Sequence, residues 1–261
     1  MSEHQLQGRS LPNGRGEIIV VADAEALARE AADRFVRITT AAVRERGSAA
    51  VALSGGSTPG RMGHLLAADY RRVVPWDRLE IFWGDERTVP ESDPESNAGV
   101  ARRTFLDQVG IPVRQVHTYA MEGIEPELAA IAYGARIRTI IGPAAPDAGW
   151  PRFDLILLGM GDDGHTASLF PGTAALGEQE ALVVANPVPK LGTVRLTFTA
   201  PLINQARDIL FLIGGAAKAS ILREVLEGPE QPNELPSQMI RPTVGRLTWL
   251  VDEAAAAALE G

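Results

Sequence analysis

Short runs dominated by apolar residues recur along this chain at 18–21, 49–53, 79–83, 153–158, 209–213 and 247–251. Such runs suit strands buried on both faces of a parallel sheet, where alternation with polar residues is lost. Between them the pattern changes to a helical period. Leu27, Ala31, Phe35 and Ile38 mark a helix over 23–46 with Gly47 as its stop. Met62, Leu65 and Leu66 mark another, with Thr58 as its cap and Pro59 in its first turn. Ser96 and Asn97 cap a third over 100–109, which has Asp107 on its exposed side. Residues 126–141 and 216–226 supply two more, and Asp252 caps a terminal alanine-rich helix. Val116 centres a weak strand signal, and residues 181–185 and 195–199 read as extended.

The order of these elements predicts a three-layer α/β domain with a mainly parallel sheet and helices on both faces. Residues 1–16 read as a flexible N-terminal extension and 17–261 as a single domain. The Gly- and Pro-rich stretch 142–151 reads as a return from a covering helix to the strand at 153. Residues 187–192 read as a loop or lid edge, and 229–242 as a proline-rich wrap.

Composition narrows the function. The 261 residues are 45% hydrophobic and 22% charged, the make-up of a globular domain. A net charge of −8, spread along the chain, argues against a nucleic-acid partner. It leaves open a small anionic ligand held by local cations and backbone N–H groups. Cysteine is absent, which removes disulfides, thiolate nucleophiles and cysteine metal clusters. No apolar run is long enough for a membrane span and the first 16 residues lack a signal-peptide core, so a cytoplasmic setting without membrane partners is expected.

Chemistry concentrates where the apolar runs end. After 49–53 comes Ser54-Gly55-Gly56-Ser57-Thr58-Pro59-Gly60, a strand–glycine loop–helix sequence suited to phosphate. Taken alone it also fits a tight structural turn. It matches neither a dinucleotide fingerprint nor a Walker A loop, so no nucleotide cofactor is expected. After 79–83 comes Gly84-Asp85-Glu86-Arg87, whose carboxylates and guanidinium can position a polyhydroxylated, phosphorylated substrate or form surface ion pairs. Asn97 can reach the same crevice. After 153–158 comes the loop running from Gly159 through Asp162, Asp163, Gly164 and His165 to Gly172. His165 is the general-base candidate, with Asp163 two residues earlier as the group that selects its tautomer. The bland reading has the two aspartates capping a turn and His165 making a structural hydrogen bond. Lys218 falls in the first turn of a helix, where a cation opposes helix stability but serves an anion. Lys190 and Arg195 are additional anion contacts. His4, His64, His117 and His165 lack metal-ligand spacing, so metal-independent chemistry is expected.

The loops starting at Ser54, Gly84, Ser96 and Gly159, together with Gly245-Arg246-Leu247-Thr248-Trp249, occur in the order found in the glucosamine-6-phosphate isomerase/6-phosphogluconolactonase family, which the chain resembles from about residue 17 to 258. The resemblance implies a modified Rossmann-like domain that uses no NAD. It implies lactonase chemistry on a phosphorylated sugar lactone, by a monomer or homodimer. His165 would activate water and Asp163 would assist it. The resemblance places substrate near Ser54, Gly55, Gly56, Ser57, Thr58, Arg87, Arg195 and Lys218, and the position of their loops adds Asp85 and Asn97. On physical grounds the phosphate goes to Ser57, Thr58, Arg195 and Lys218, with Arg87 near the sugar or phosphate. The deaminase branch of the family differs at two places: a Met-Asp-Glu-Tyr type segment where this chain has Gly84-Asp85-Glu86-Arg87, and a glutamate-containing continuation after the central histidine where this chain has Thr166-Ala167-Ser168-Leu169-Phe170. A noncatalytic sugar-phosphate-binding protein is the third reading.

Overall fold

The computed structural model describes residues 8–143 and 149–260. Its elements run β1 (Arg9–Ser10), β2 (Glu17–Val21), α1 (Ala24–Arg46), β3 (Ala49–Leu53), α2 (Ser57–Ala68), β4 (Leu79–Trp83) and β5 (Asp85–Arg87). Next come α3 (Asn97–Ala101), which passes through a π-turn into α4 (Asp107–Val109), then α5 (Pro126–Ile141) and β6 (Leu155–Leu158). The chain finishes with β7 (Val183–Val188), β8 (Thr193–Phe198), α6 (Ala200–Ile203), β9 (Asp208–Ile213), α7 (Ala219–Glu227), β10 (Arg246–Asp252) and α8 (Glu253–Ala256).

The large sheet has the order β1-β2-β10-β9-β6-β3-β4 and is parallel except at β1. The apolar runs are its strands, and all residues of β3 and β6 are buried. α1 shows how local chemistry sets an element. Asp23 Oδ1 accepts the N–H groups of Glu25 at 3.0 Å and Ala26 at 2.9 Å, and Gly47 closes the helix in the left-handed region. Its buried face, including Leu27, Ala31 and Phe35, packs against β3, β6, β9 and β10. Trp83, Trp249, Phe82, Phe153, Phe198 and Phe211 fill the core.

Strand order locates the site. β3 leads through α2 outward to β4, whereas β6, its neighbour, leads the other way to β9 and β10. The loops after β3 and β6 therefore diverge at a topological switch point, where an open α/β sheet forms its ligand crevice. A second, antiparallel sheet of order β5-β8-β7 stands beside it, with α5 packed on β7 and β8.

Several expectations are corrected. Residues 9–16 are not loose: β1 pairs with β2, Leu11 is buried, and the Arg15 carbonyl accepts the Trp249 indole N–H at 2.8 Å. Residues 1–7 of that extension, and 144–148 of the 142–151 stretch, lie outside the described residues. Thr58 does not cap α2, because Gly56, at φ +112°, holds the cap position. Val116 makes only an isolated bridge to Ile81. The loop at 187–192 is the end of β7 and a 3-10 turn (Pro189–Leu191) joining β7 to β8. Lys218 ends a 3-10 turn, Ala216–Lys218, immediately before α7.

Candidate active site

The loop leaving β6 folds on itself. The Gly161 N–H donates to the His165 carbonyl at 2.8 Å, and the Gly164 N–H donates to the Gly161 carbonyl at 3.2 Å. Both glycines are dictated by space. A Cβ on Gly161 would sit 2.0 Å from His165 Nδ1; Gly164, at φ +75°, lies under Leu235, whose Cδ2 would be 2.9 Å from a Cβ. Ala167 follows at φ +47°, the sole non-glycine at positive φ among the described residues. It is held on both sides, by Thr166 Oγ1 donating to the Gly159 carbonyl at 2.8 Å and by the Ser168 N–H donating to Thr197 Oγ1 at 3.1 Å. Strained backbone of this kind persists only where neighbours fix it.

His165 and Asp163 meet. Nδ1 of the half-buried imidazole lies 2.6 Å from Asp163 Oδ1, and the ring stacks on Phe170 with centroids 4.1 Å apart. The other carboxylate oxygen, Oδ2, accepts Lys190 Nζ at 2.9 Å. Burial pushes the Asp163 carboxyl up, but the hydrogen bonds from Lys190 and His165 outweigh it and hold the pKa at about 2. An ionised carboxylate only accepts, so Nδ1 carries the proton toward Asp163, and in the neutral ring Nε2 then presents a lone pair. Beside it, Asp162 pairs with Lys218, which lowers the Asp162 pKa.

His165 opens on a cleft of about 390 Å³ whose walls include Asp85, Arg87, Asp163, Ser168, Lys190 and Arg195. The segment Gly84-Asp85-Glu86-Arg87, read as a polar loop, contributes β5, and strand alternation divides its side chains. Asp85 and Arg87 reach the cleft, with Asp85 Oδ2 accepting Ser168 Oγ at 2.7 Å. Glu86 turns inward, 3% exposed, and accepts the N–H groups of Arg87, Asn97 and Ala98 at 2.7–2.9 Å. It anchors the start of α3 and takes no part in the cleft. Arg87 stands directly opposite Arg195 in the β5–β8 pairing. Burial lowers the Arg195 pKa, and the nearby Arg87 charge adds to it.

The loop after β3 forms a tight crevice of about 20 Å³ lined by Ser54, Gly55, Gly56 and Asn97. Asn97 is buried beneath Gly55, where its Oδ1 occupies the space a Cβ would need, and its Nδ2 donates to the Asp85 carbonyl at 3.0 Å. That bond ties the crevice to the cleft wall. Ser57 and Thr58 begin α2, which has no side-chain cap, so their N–H groups are available to an anion. Ser57, Thr58 and Lys218 line neither space. The sequence reading missed Ser168 and Phe170 as cleft residues. Phe170 carried a usable signal, as a large aromatic inside a glycine-rich polar loop. Among the described residues no group of three or more His, Asp or Glu is disposed to hold a metal, and no helix is long and apolar enough to cross a membrane.

Comparison with known proteins places the chain in a family. The family model for glucosamine-6-phosphate isomerases/6-phosphogluconolactonase matches residues 22–249. A 6-phosphogluconolactonase of Synechocystis sp. is 44% identical over 216 residues, covering 83% of this chain and 87% of the relative. One from Nostoc sp. is 38% identical over 240 residues, covering 92% and 97%. The solved 6-phosphogluconolactonase from Trypanosoma cruzi superposes with a TM-score of 0.84 at 30% identity, covering 98% of this chain and all of that one (100%). The chain therefore belongs to the glucosamine-6-phosphate isomerase/6-phosphogluconolactonase family.

Proposed function

We propose that the chain hydrolyses 6-phospho-D-glucono-1,5-lactone to 6-phospho-D-gluconate, the lactone-opening step of the oxidative pentose phosphate pathway, with His165 as the base. One observation carries the assignment of the base: Asp163 engages Nδ1 of a histidine that lines the cleft together with Arg87, Lys190 and Arg195, which leaves Nε2 of the neutral ring free to take a water proton. The activated water attacks the lactone carbonyl and forms a tetrahedral oxyanion. Collapse expels the ring oxygen, which takes the proton that His165 acquired. Asp163 keeps the tautomer and stabilises the transient imidazolium.

The phosphate is assigned to Ser57, Thr58, Arg195 and Lys218, and Arg87 to the sugar or phosphate. Backbone donors at the start of α2 and convergent guanidiniums support this division. Lys218 pairs with the exposed carboxylate of Asp162, a partner that a phosphate dianion can displace. Ser54, Gly55, Gly56 and Asn97 shape the wall between phosphate and lactone, and Asp85 orients Ser168.

Deamination of glucosamine 6-phosphate is the second reading. Arg87 at the end of β5 and the absence of a glutamate directly after His165 favour the lactonase. The test is a side-by-side assay with freshly generated lactone and with glucosamine 6-phosphate. Lactone loss above the spontaneous rate, without ammonia release from the amino sugar, is expected; the reverse pattern overturns the proposal. Lys218→Ala is expected to raise KM more than it lowers kcat.

A further inference from the structure

Among the described residues, Lys190 is the one cation on the cleft wall that bonds the carboxylate holding His165. We propose that Lys190 is a positioning residue for the Asp163–His165 pair and not a substrate contact. This inference rests on the reading of His165 as the base.

An ion pair on an exposed lysine is ordinarily worth little, and Lys190 is 69% exposed. Two features set this one apart. Its carboxylate partner has divided labour: Oδ1 receives the imidazole N–H at 2.6 Å and the backbone N–H of His165 at 3.3 Å, while Oδ2 receives the ammonium at 2.9 Å. Rotation of the carboxylate away from the ring therefore breaks the lysine bond as well. The lysine is also presented by a stiff element, the 3-10 turn Pro189–Leu191 between β7 and β8, which opens on a proline and closes on Gly192 in the left-handed region. β8 brings Arg195 to the same cleft, so the hairpin fixes the catalytic loop and supplies a substrate contact together.

The charge of Lys190 also reaches the imidazole. The groups facing His165 are Asp162 and Asp163 of its own loop, Asp85 and Arg87 of β5, Arg195 of β8, and Lys190, with Lys218 acting through Asp162. Removing the ammonium leaves the Asp163 charge less compensated and favours the imidazolium. Neutral His165 then requires a higher pH, and the acid limb of kcat/KM moves up. With one charge acting across a carboxylate near the surface, the displacement is on the order of 0.5 pH unit.

The experiment measures kcat and KM across pH for Lys190→Met and Lys190→Arg, and follows His165 by nitrogen-edited NMR in the same proteins. Lys190→Met is expected to lower kcat several-fold, to shift the acid limb upward and to raise the pH at which the His165 ring titrates. Lys190→Arg is expected to restore the wild-type profile. A Lys190→Met enzyme with unchanged kcat, pH profile and His165 titration overturns the inference, and so does a rise confined to KM, which would make Lys190 a substrate contact. His165→Ala run alongside separates the two levels: full turnover in that variant overturns the base itself, whatever Lys190 does.

Discussion

Gly161 lies against the face of the base it precedes: a Cβ built on it would come within 2.0 Å of His165 Nδ1 and 2.1 Å of Cε1. The glycine is therefore part of the device that seats the imidazole on Asp163. Gly161→Ala is expected to push the ring off Asp163 and lower kcat on the order of 10²-fold, the scale of losing a well-placed general base. The rest of the fold does not depend on that spot, so circular dichroism and thermal unfolding should stay close to wild type. Retained kcat would mean that the ring has another productive position.

Asp163 determines which ring nitrogen carries the proton. Asp163→Asn offers an amide N–H to Nδ1, which moves the proton to Nε2 and removes the lone pair. A kcat loss on the order of 10²–10⁴-fold with KM little changed is expected in steady-state kinetics.

The carboxyl of Asp163 also makes a pH statement. Its pKa, held at about 2 against an ordinary 3.8, is lowered by folding. The folded state therefore binds fewer protons there than the unfolded chain does, and the resulting stability is present above about pH 4 and disappears as pH falls toward 2. Wild-type unfolding midpoints should fall through that window more steeply than those of Asp163→Asn. Parallel curves for the two proteins would contradict the lowered value.

Glu86 offers a stability test at a residue outside the cleft. Its buried carboxylate receives three backbone N–H groups and Ser96 Oγ at 3.2 Å. Glu86→Ala strands those donors at the start of α3, and a loss of about 3 kcal/mol is expected from chemical denaturation, since each buried unsatisfied group costs roughly 1–3 kcal/mol. A loss below about 1 kcal/mol would mean that water replaces the carboxylate.

The parallel strands were legible because residues such as Val51 and Leu157, buried on both sides, leave unbroken apolar runs. The loops at their ends were legible for the complementary reason: glycine, hydroxyl and charged residues interrupt those runs abruptly. β5 was not, since its three residues are all charged and become a strand only by pairing with β8. Nor was the division between Glu86 and Arg87, which follows from that pairing. The bond between Lys190 and Asp163 spans 27 residues, and no local pattern encodes it. Residues 9–16 looked loose from their Gly and Arg content, but the buried indole of Trp249 needs an acceptor and finds it at Arg15.

The most direct measurement is single-turnover hydrolysis of freshly generated 6-phosphogluconolactone by wild type and by His165→Ala, each corrected for the spontaneous rate, with binding of 6-phosphogluconate measured on both. The expected result is rapid lactone opening by wild type and a loss on the order of 10²–10⁴-fold in the variant, with product affinity within a few-fold of wild type. Equal opening rates in the two proteins would contradict the assignment of His165 as the base, and the absence of any enzymatic opening would contradict the function.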